Sequence, residues 1–305
     1  MQTEKQVLAI QSHVVHGYVG NKSATLPLQI RGWDVDCLNA VQFSNHTGYG
    51  HVEGYKLSGS QIKNIYEGLR AQEFEYQALL TGYLPSAEAV EAVFEVGTQM
   101  KSTNKDMIWL LDPVMGDEGR LYVKEDVIPV YKKILKSGLV TLITPNHFEV
   151  EVLTGIQLNS KENVIKALDF MHREYNIEHI VISSVPHATD NTILLTIGST
   201  INEKPFVIRQ SKIQSYFTGT GDLFAALLLD SVHRYGLSNL AIATTRAISI
   251  VSKTLKRTYE FGLSKNVPGC KMADKSMKFY ELRLVQCIDI FSQIEHTDVK
   301  YEEYA

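Results

Sequence analysis

The chain has 305 residues, 44% of them hydrophobic, and 30 Lys and Arg stand against 34 Asp and Glu for a net charge of −4. That balance gives no basic surface for nucleic acid, and no stretch approaches the ~18 consecutive apolar residues of a membrane span. Three cysteines, Cys37, Cys270 and Cys287, are odd in number and far apart, so they form neither a metal pair nor a disulfide framework. A soluble protein of a reducing, cytoplasmic compartment is expected, with nuclear entry open to a chain of this size. The N-terminal apolar run, Val7 to Ile10, is too short for a signal peptide.

In chain order, Val7–Gln11 reads as a strand, Asn21–Arg31 as a helix and Val35–Val41 as the next strand. Helix Ser60–Gln72, strand Gln77–Thr81, helix Ser86–Lys101 and strand Met107–Asp112 follow. Next come helix Glu125–Lys136, strand Val140–Ile143, and helices Phe148–Leu153 and Lys161–Tyr175. Strands His179–Ser183, Thr192–Ile197 and Phe206–Arg209 precede helices Asp222–Tyr235 and Asn239–Leu255. Strands separated by helices of ten or more residues predict an α/β fold with a mostly parallel sheet covered on both faces. Two late strands with no helix between them predict an antiparallel edge. The length allows one large domain or two, and without a linker-like segment one domain over 1–305 is expected. The Lys-rich stretch Lys265–Lys278 reads as a solvated loop.

Ligands of such a sheet bind beyond the carboxyl ends of its strands, and the unusual polar segments of this chain fall there. After the first strand, Gln11-Ser12-His13-Val14-Val15-His16-Gly17-Tyr18-Val19-Gly20-Asn21 places Ser12 where its hydroxyl can bond a substrate. Gly20 or Asn21 as a helix cap would explain the same loop. After the second strand, Val41-Gln42-Phe43-Ser44-Asn45-His46-Thr47-Gly48-Tyr49-Gly50-His51 suits a flap over a flat aromatic ligand, with Thr47 fixing a polar edge. A structural hairpin would look similar. Asp112-Pro113-Val114-Met115-Gly116-Asp117 presents two carboxylates suited to Mg²⁺ and phosphate, although turns favour Asp in any case. The residues onward to Tyr122 are placed to close over phosphates. In Thr144-Pro145-Asn146-His147-Phe148-Glu149, Asn146 and Glu149 match a capping box, a phosphate contact with a water-mediated hold on Mg²⁺, or both. Ser183-Ser184 can bond a phosphate or simply form a turn. The ten histidines show no His-x-x-x-His or Glu-x-x-His pattern, so no zinc site is expected, and His172 and His233 read as surface residues of helices.

Gly219-Thr220-Gly221-Asp222 opens the apolar helix Leu223-Phe224-Ala225-Ala226-Leu227-Leu228-Leu229. A glycine-rich turn at a helix start leaves unpaired N–H groups at the positive end of the dipole, a seat for an anion. Asp222 in the first turn is an N-terminal cap or a base. The motif is not a dinucleotide loop, since Phe224 stands at the third glycine position, nor a P-loop, since no Gly-Lys-Ser/Thr occurs. An anion seat beside a base is what phosphoryl transfer to an alcohol needs.

Taken together these segments, with Thr81-Gly82-Tyr83, Ile143-Thr144-Pro145-Asn146 and the run to Ala226, resemble the pyridoxal kinases of the ribokinase-like superfamily. The resemblance keeps the family's order from residue 7 to about 260. It implies ATP-dependent phosphorylation of the 5′-hydroxymethyl group of pyridoxal, pyridoxine or pyridoxamine, with Asp222 as base and Gly219, Thr220 and Gly221 as anion hole. It further implies that Ser12 and Thr47 meet the polar groups of the ring, with Val19, Phe43 and Tyr83 shaping the apolar pocket and His46 among the substrate-binding residues. Asp112, Asp117 and Glu149 would serve Mg²⁺ and phosphate charge. Thr144 and Ser183 would lie near a monovalent cation, K⁺ or Na⁺, and Asn146 and Ser184 near the phosphates. Tyr122 would belong to a lid, and Ile213, Gln214, Ser215 and Thr218 to the ATP contacts. The family is typically homodimeric. Two departures stand out: the lid from Gly116 to Tyr122 is shorter than in the animal enzymes, and Val185-Pro186 replaces an acidic position after the paired serines. Hydroxymethylpyrimidine kinase, of the same fold, is the nearest enzymatic alternative. A non-catalytic B6-binding homologue is the other.

Overall fold

The computed structural model describes residues 5–293 and 299–304; the expected domain over 1–305 includes residues 1–4, 294–298 and 305, which lie outside these. In chain order the elements are β1 (Lys5–Val14), α1 (Asn21–Ile30), β2 (Trp33–Phe43), β3 (Gly54–Lys56), α2 (Gly59–Arg70), β4 (Ala78–Thr81), α3 (Ala87–Thr103) and β5 (Ile108–Leu111). A hairpin of β6 (Gly116–Asp117) and β7 (Arg120–Leu121) leads to α4 (Val127–Lys136), β8 (Leu142–Ile143), α5 (His147–Thr154) and α6 (Lys161–Glu174). The chain then forms β9 (His179–Pro186), β10 (Ile193–Thr200), β11 (Phe206–Ser211), α7 (Thr220–Tyr235), α8 (Leu240–Ser264), α9 (Ile288–Phe291) and β12 (Tyr301–Glu303).

Ten strands form one sheet in the order β12-β11-β10-β9-β8-β5-β4-β1-β2-β3. β2, β1, β4, β5, β8 and β9 are mutually parallel, while β10, β11 and β12 run antiparallel at one edge and β3 at the other. The apolar runs are continuous because both faces are covered, and side chains alternate between them. Leu8, Ile10, Leu79, Trp109, Leu111 and Ile143 join one cluster with residues of α2 to α6. Val7, Ala9, Ala78, Leu80, Leu110 and Leu142 join the other with α1, α7, α8 and α9. α7 is buried from Leu223 through Val232 because it lies between the sheet, α1 and α8.

One charge sits inside that second layer. Asp230, fully buried, accepts hydrogen bonds from Arg31 Nε, Trp33 Nε1 at 3.0 Å and Lys5 Nζ at 3.4 Å. Those donors hold its carboxyl below the usual range despite burial, so it is an ionised tie between α7, α1 and the start of the sheet.

Several sequence expectations are corrected. β1 continues past Gln11 to Val14, with a register shift between Gln11 and Ser12, so Ser12 lies within the strand beyond a bulge. β2 runs to Phe43 because β3 pairs with its end, so Phe43 is strand rather than flap. β9 passes through Ser183 and Ser184 to Pro186, and α8 extends to Ser264. His172 is buried, its ring nitrogens against Ile177 O at 2.7 Å and Ser199 Oγ at 2.8 Å, so it is a core residue rather than a surface one. Lys265–Lys278 is irregular, but Cys270 and Met277 are buried and pack with Tyr280 against Tyr49, Tyr216 and Phe217. The lysines face solvent while the residues between them cover the flap. No helix among the described residues is long and apolar enough to cross a membrane.

Candidate active site

The parallel strands bring their carboxyl ends to one edge of the sheet, and the ladder continues one residue beyond them. Asp112 N–H donates to Thr81 O at 2.8 Å, Thr144 N–H to Leu111 O at 3.0 Å and Ser183 N–H to Pro145 O at 2.9 Å. Thr81, Asp112, Thr144 and Ser183 therefore stand on adjacent strand ends rather than in separate loops. Ser12 lies in the last part of β1, Phe43 ends β2 and Tyr83 lies just beyond β4. The sheet thus sorts the ring-binding candidates to one side and the phosphate and metal candidates to the other.

The start of α7 stands between them. Gly219 is its N-cap at φ +74° and supplies no side-chain cap, while Thr220, Gly221 and Asp222 form the first turn. The first intrahelical bond runs from Leu223 N–H to Gly219 O at 3.0 Å, which leaves the amides of Thr220, Gly221 and Asp222 without an intrahelical partner. A Cβ on Gly219 would lie 1.8 Å from Tyr18 O, so only glycine fits this approach to the loop after β1. Ser23 Oγ donates to Gly219 O at 3.0 Å, fixing the turn from α1. A Cβ on Gly221 would lie 3.8 Å from Asp112 Oδ2, which puts the turn against the other half of the site. The cap reading of Asp222 is overturned, because Gly219 holds the cap position and Asp222 lies three residues inside. Its half-buried carboxyl is raised by burial, opposed by the Gly20 N–H.

Asp112 and Glu149, 5% and 2% exposed, add two more carboxylates. Glu149 completes the capping box with Asn146: its carboxylate accepts Asn146 N–H at 2.8 Å, and Asn146 Oδ1 accepts Glu149 N–H at 2.9 Å. It also accepts Met115 N–H at 2.9 Å, a tie to the Asp112 loop that capping does not require. Burial pushes Asp112 well up, reinforced by the charges of Glu149 and Asp222. Burial pushes Glu149 to about 8 against the pull of its amide donors. The Thr144 hydroxyl favours the Asp112 carboxylate from nearby but is outside hydrogen-bond geometry, and it is buried without a partner. No Lys or Arg relieves either carboxylate among the groups that shift them. Among the described residues no three His, Cys, Asp or Glu side chains are arranged to hold a metal. Two uncompensated carboxylates and an orphan hydroxyl fit a cation bound chiefly through substrate phosphates, the usual habit of Mg²⁺.

A stability prediction follows from the sign of these shifts. A carboxyl whose folded pKa exceeds its unfolded value binds more protons when folded, so stability falls as pH rises between the two. For Glu149 that window runs from 4.5 to about 8. The melting temperature of metal-free protein is expected to fall across it, and Glu149→Gln to flatten the slope by several degrees, at about 2–4 °C per kcal/mol. Parallel pH curves for the two proteins would exclude the burial penalty on Glu149.

The remaining candidates fall around this centre. Val19 is a buried residue of the β1–α1 loop and Tyr83 is half-buried. His46 caps a 3-10 turn, Thr47–Tyr49, its Nδ1 accepting Gly48 N–H at 3.1 Å. Burial lowers His46 to about 4, so it is neutral at pH 7 with its proton on Nε2. Thr47 is exposed at the flap tip. The lid is a closed hairpin whose two central residues, Glu118 and Gly119, have φ of 49° and 76°, the sign of a two-residue primed turn. Asp117 Oδ1 accepts Glu118 N–H at 2.7 Å there, and the exposed Tyr122 donates its N–H to Met115 O at 2.7 Å. Asn146 Nδ2 donates to Gly116 O at 2.8 Å, so its amide is already engaged by the lid's base. Ser184 takes φ 57°, strained for a serine and located where β9 bulges. Ile213, Gln214, Ser215 and the buried Thr218 lie in the connection from β11 to α7, with Ser215 Oγ accepting Cys270 N–H at 3.1 Å.

The roles of two residues escaped the sequence reading. Asn21 is not the cap of α1: its buried side chain accepts from Gln11 Nε2 at 3.3 Å and donates to Asn39 Oδ1 at 2.8 Å. Glu281 reaches the β1–α1 loop from 263 residues away, with no local motif to announce it.

A strand-end site of this kind, with an amide-lined helix start and a carboxylate beside it, defines a phosphotransferase of the α/β class. A family model described as phosphomethylpyrimidine kinase matches residues 31–269, and the chain belongs to that family. Pyridoxal kinase of Arabidopsis thaliana is 44% identical over 84% of this chain and 82% of its own. Pyridoxal kinase of Homo sapiens is 37% identical over 94% of this chain and 95% of its own. Among solved structures, Leishmania donovani pyridoxal kinase in complex with ADP and pyridoxine is similar at a TM-score of 0.84 and 33% identity, covering 94% of this chain and 95% of that one. The mostly parallel sheet with an antiparallel edge is the ribokinase-like fold of these kinases.

Proposed function

We propose that the chain transfers the γ-phosphoryl group of ATP to the 5′-hydroxymethyl group of B6 vitamers, giving pyridoxal 5′-phosphate and its relatives. The observation that carries this reading is the start of α7, wedged between Tyr18 of the ring-side loop and Asp112 of the phosphate side. ADP and pyridoxine accompany the Leishmania donovani enzyme, and AMP-PNP and PL a Plasmodium falciparum PdxK of similar fold, 27% identical to this chain.

In this mechanism Ser12, His46 and Thr47 hold the polar edge of the pyridine ring while Val19, Phe43 and Tyr83 exclude water from its faces. Asp222 takes the proton of the hydroxymethyl oxygen as that oxygen attacks phosphorus. The amides of Gly219, Thr220 and Gly221 receive charge developing on the transferred group. Asp112 and Glu149 would hold Mg²⁺ directly or through water, with Thr144 and Ser183 beside a monovalent cation. An Mg²⁺ held there would neutralise phosphate charge. Asn146, Ser184, Thr218 and the Ile213–Ser215 segment orient the nucleotide, and Asp117 and Tyr122 limit water at the lid. A cytoplasmic homodimer completes the proposal, and the three free cysteines agree with a reducing compartment.

The family description favours one second reading, a hydroxymethylpyrimidine kinase. An ATP-consumption assay of purified protein with pyridoxal, pyridoxine, hydroxymethylpyrimidine and ribose decides between them. Turnover with the B6 vitamers is expected. Turnover with the pyrimidine alone would establish the second reading, and tight pyridoxal binding without turnover would make the chain a binding protein.

A further inference from the structure

Glu281 is 7% exposed, and its two carboxylate oxygens serve two different loops. Oε2 accepts Tyr18 N–H at 3.0 Å and Oε1 accepts the Tyr49 hydroxyl at 2.7 Å. Gly17 packs so closely that a Cβ there would lie 2.5 Å from Oε2. No Lys or Arg forms an ion pair with Glu281 among the described residues, so its buried charge is stabilised by these donors. Burial and the neighbouring carboxylate push the Tyr49 phenol up, so the hydroxyl remains a donor at working pH.

The segment carrying Glu281 also contacts the flap and the connection from β11 to α7. Ala273 N–H donates to Gly48 O at 2.9 Å in the flap turn, and Tyr216 N–H donates to Cys270 O at 3.0 Å. Tyr49 also meets the His16 ring edge-on, with centroids 6.4 Å apart. The loop after β1 and the flap after β2 are therefore tied to one carboxylate from a distant part of the chain.

We propose that Glu281 is a positioning residue for the phosphoryl acceptor, clamping the Gly17–Tyr18 turn to Tyr49 of the flap so that the ring pocket is formed before the vitamer arrives. The proposal rests on the B6-kinase reading. Both carboxylate oxygens of Glu281 are engaged by Tyr18 and Tyr49, so it acts on acceptor binding through the loops it holds. A carboxylate accepts from both groups at once, whereas an amide accepts only from Tyr18 N–H and meets the Tyr49 oxygen as a neutral donor, so the charge-assisted bond to the phenol is lost.

Steady-state kinetics of Glu281→Gln, Tyr49→Phe and the double variant test this, with acceptor and ATP varied in turn. Each single variant is expected to raise the pyridoxal KM roughly 10–100-fold, the size of one lost charge-assisted hydrogen bond. The KM for ATP should stay within about two-fold and kcat within about three-fold, and the double variant should be little worse than the poorer single one. Equal rises in both KM values would make the segment a general structural support and overturn the proposal. An unchanged pyridoxal KM in Tyr49→Phe would overturn it as well, whether or not Glu281→Gln folds. The comparison is made with whichever assayed alcohol the wild type phosphorylates. A wild type that turns over only the pyrimidine loses the B6 reading while the acceptor split stays measurable, and one that turns over none loses both.

Discussion

Asp222→Asn is expected to lower kcat by roughly 10²-fold or more while pyridoxal affinity changes little. Asparagine keeps the shape of the first turn and lacks only the proton acceptor. The environment of Asp222 is suited to a base, since burial raises its carboxyl towards the operating range while Gly20 N–H keeps it from rising further. The sign of the pH effect follows. Activity requires the ionised form, so kcat/KM of the wild type falls as pH drops through this raised value, and its acid limb lies above that of an exposed aspartate. The variant should lose that limb in its residual activity. Its stability should hold, because the ~0.3–1 kcal/mol lost at the helix dipole is offset by removing a buried charge beside Asp112. Rate measurements over pH with calorimetric pyridoxal binding check both parts. Near-wild-type turnover would remove Asp222 from the base role.

Gly219→Ala is the second large effect, and it acts on rate and stability together. The new methyl group would meet Tyr18 O at 1.8 Å, from a backbone at φ +74°. Left-handed alanine costs about 1–2 kcal/mol and overpacking about 1–3 more, which at ~2–4 °C per kcal/mol implies a loss of several degrees in Tm. The backbone must shift away from Tyr18, carrying the first-turn amides with it. Misplacing one such donor typically costs about 10²–10³-fold in kcat. Gly221→Ala is the control for stability, because its Cβ meets nothing nearer than Asp112 Oδ2 at 3.8 Å. Equal Tm values for Gly219→Ala and wild type would refute the close approach to Tyr18.

The parts legible in the sequence are those whose physics is local. β1, β4 and β5 announce themselves because strands covered on both faces are unbroken apolar runs. Asp112 and Thr144 are found because strand ends collect polar residues at one edge of the sheet. β3, β6, β7 and β12 span only two or three residues, too few to show a period, and exist because a partner strand supplies their hydrogen bonds. His172 reads as a polar residue on an amphipathic helix, and only the packing of α6 against β10 reveals Ser199 as its partner. The Asn146–Glu149 spacing predicts a capping box, which the structure contains, and the Met115 tie came only with the fold. For Asp222 the spacing left cap and base open, and the left-handed cap at Gly219 closed the first of these.

The family match ends at residue 269, one position before Cys270 opens the segment that reaches Ser215, Gly48, Tyr49 and Tyr18. The span of the family model and the span proposed to shape the pocket are therefore not the same length of chain. In the proposed mechanism the residues of transfer lie within the model-matched core, while the acceptor's doorway is fastened from just beyond it. Exchanging residues 270–284 between related kinases is thus a route to altering which alcohol enters without touching the turn that activates it.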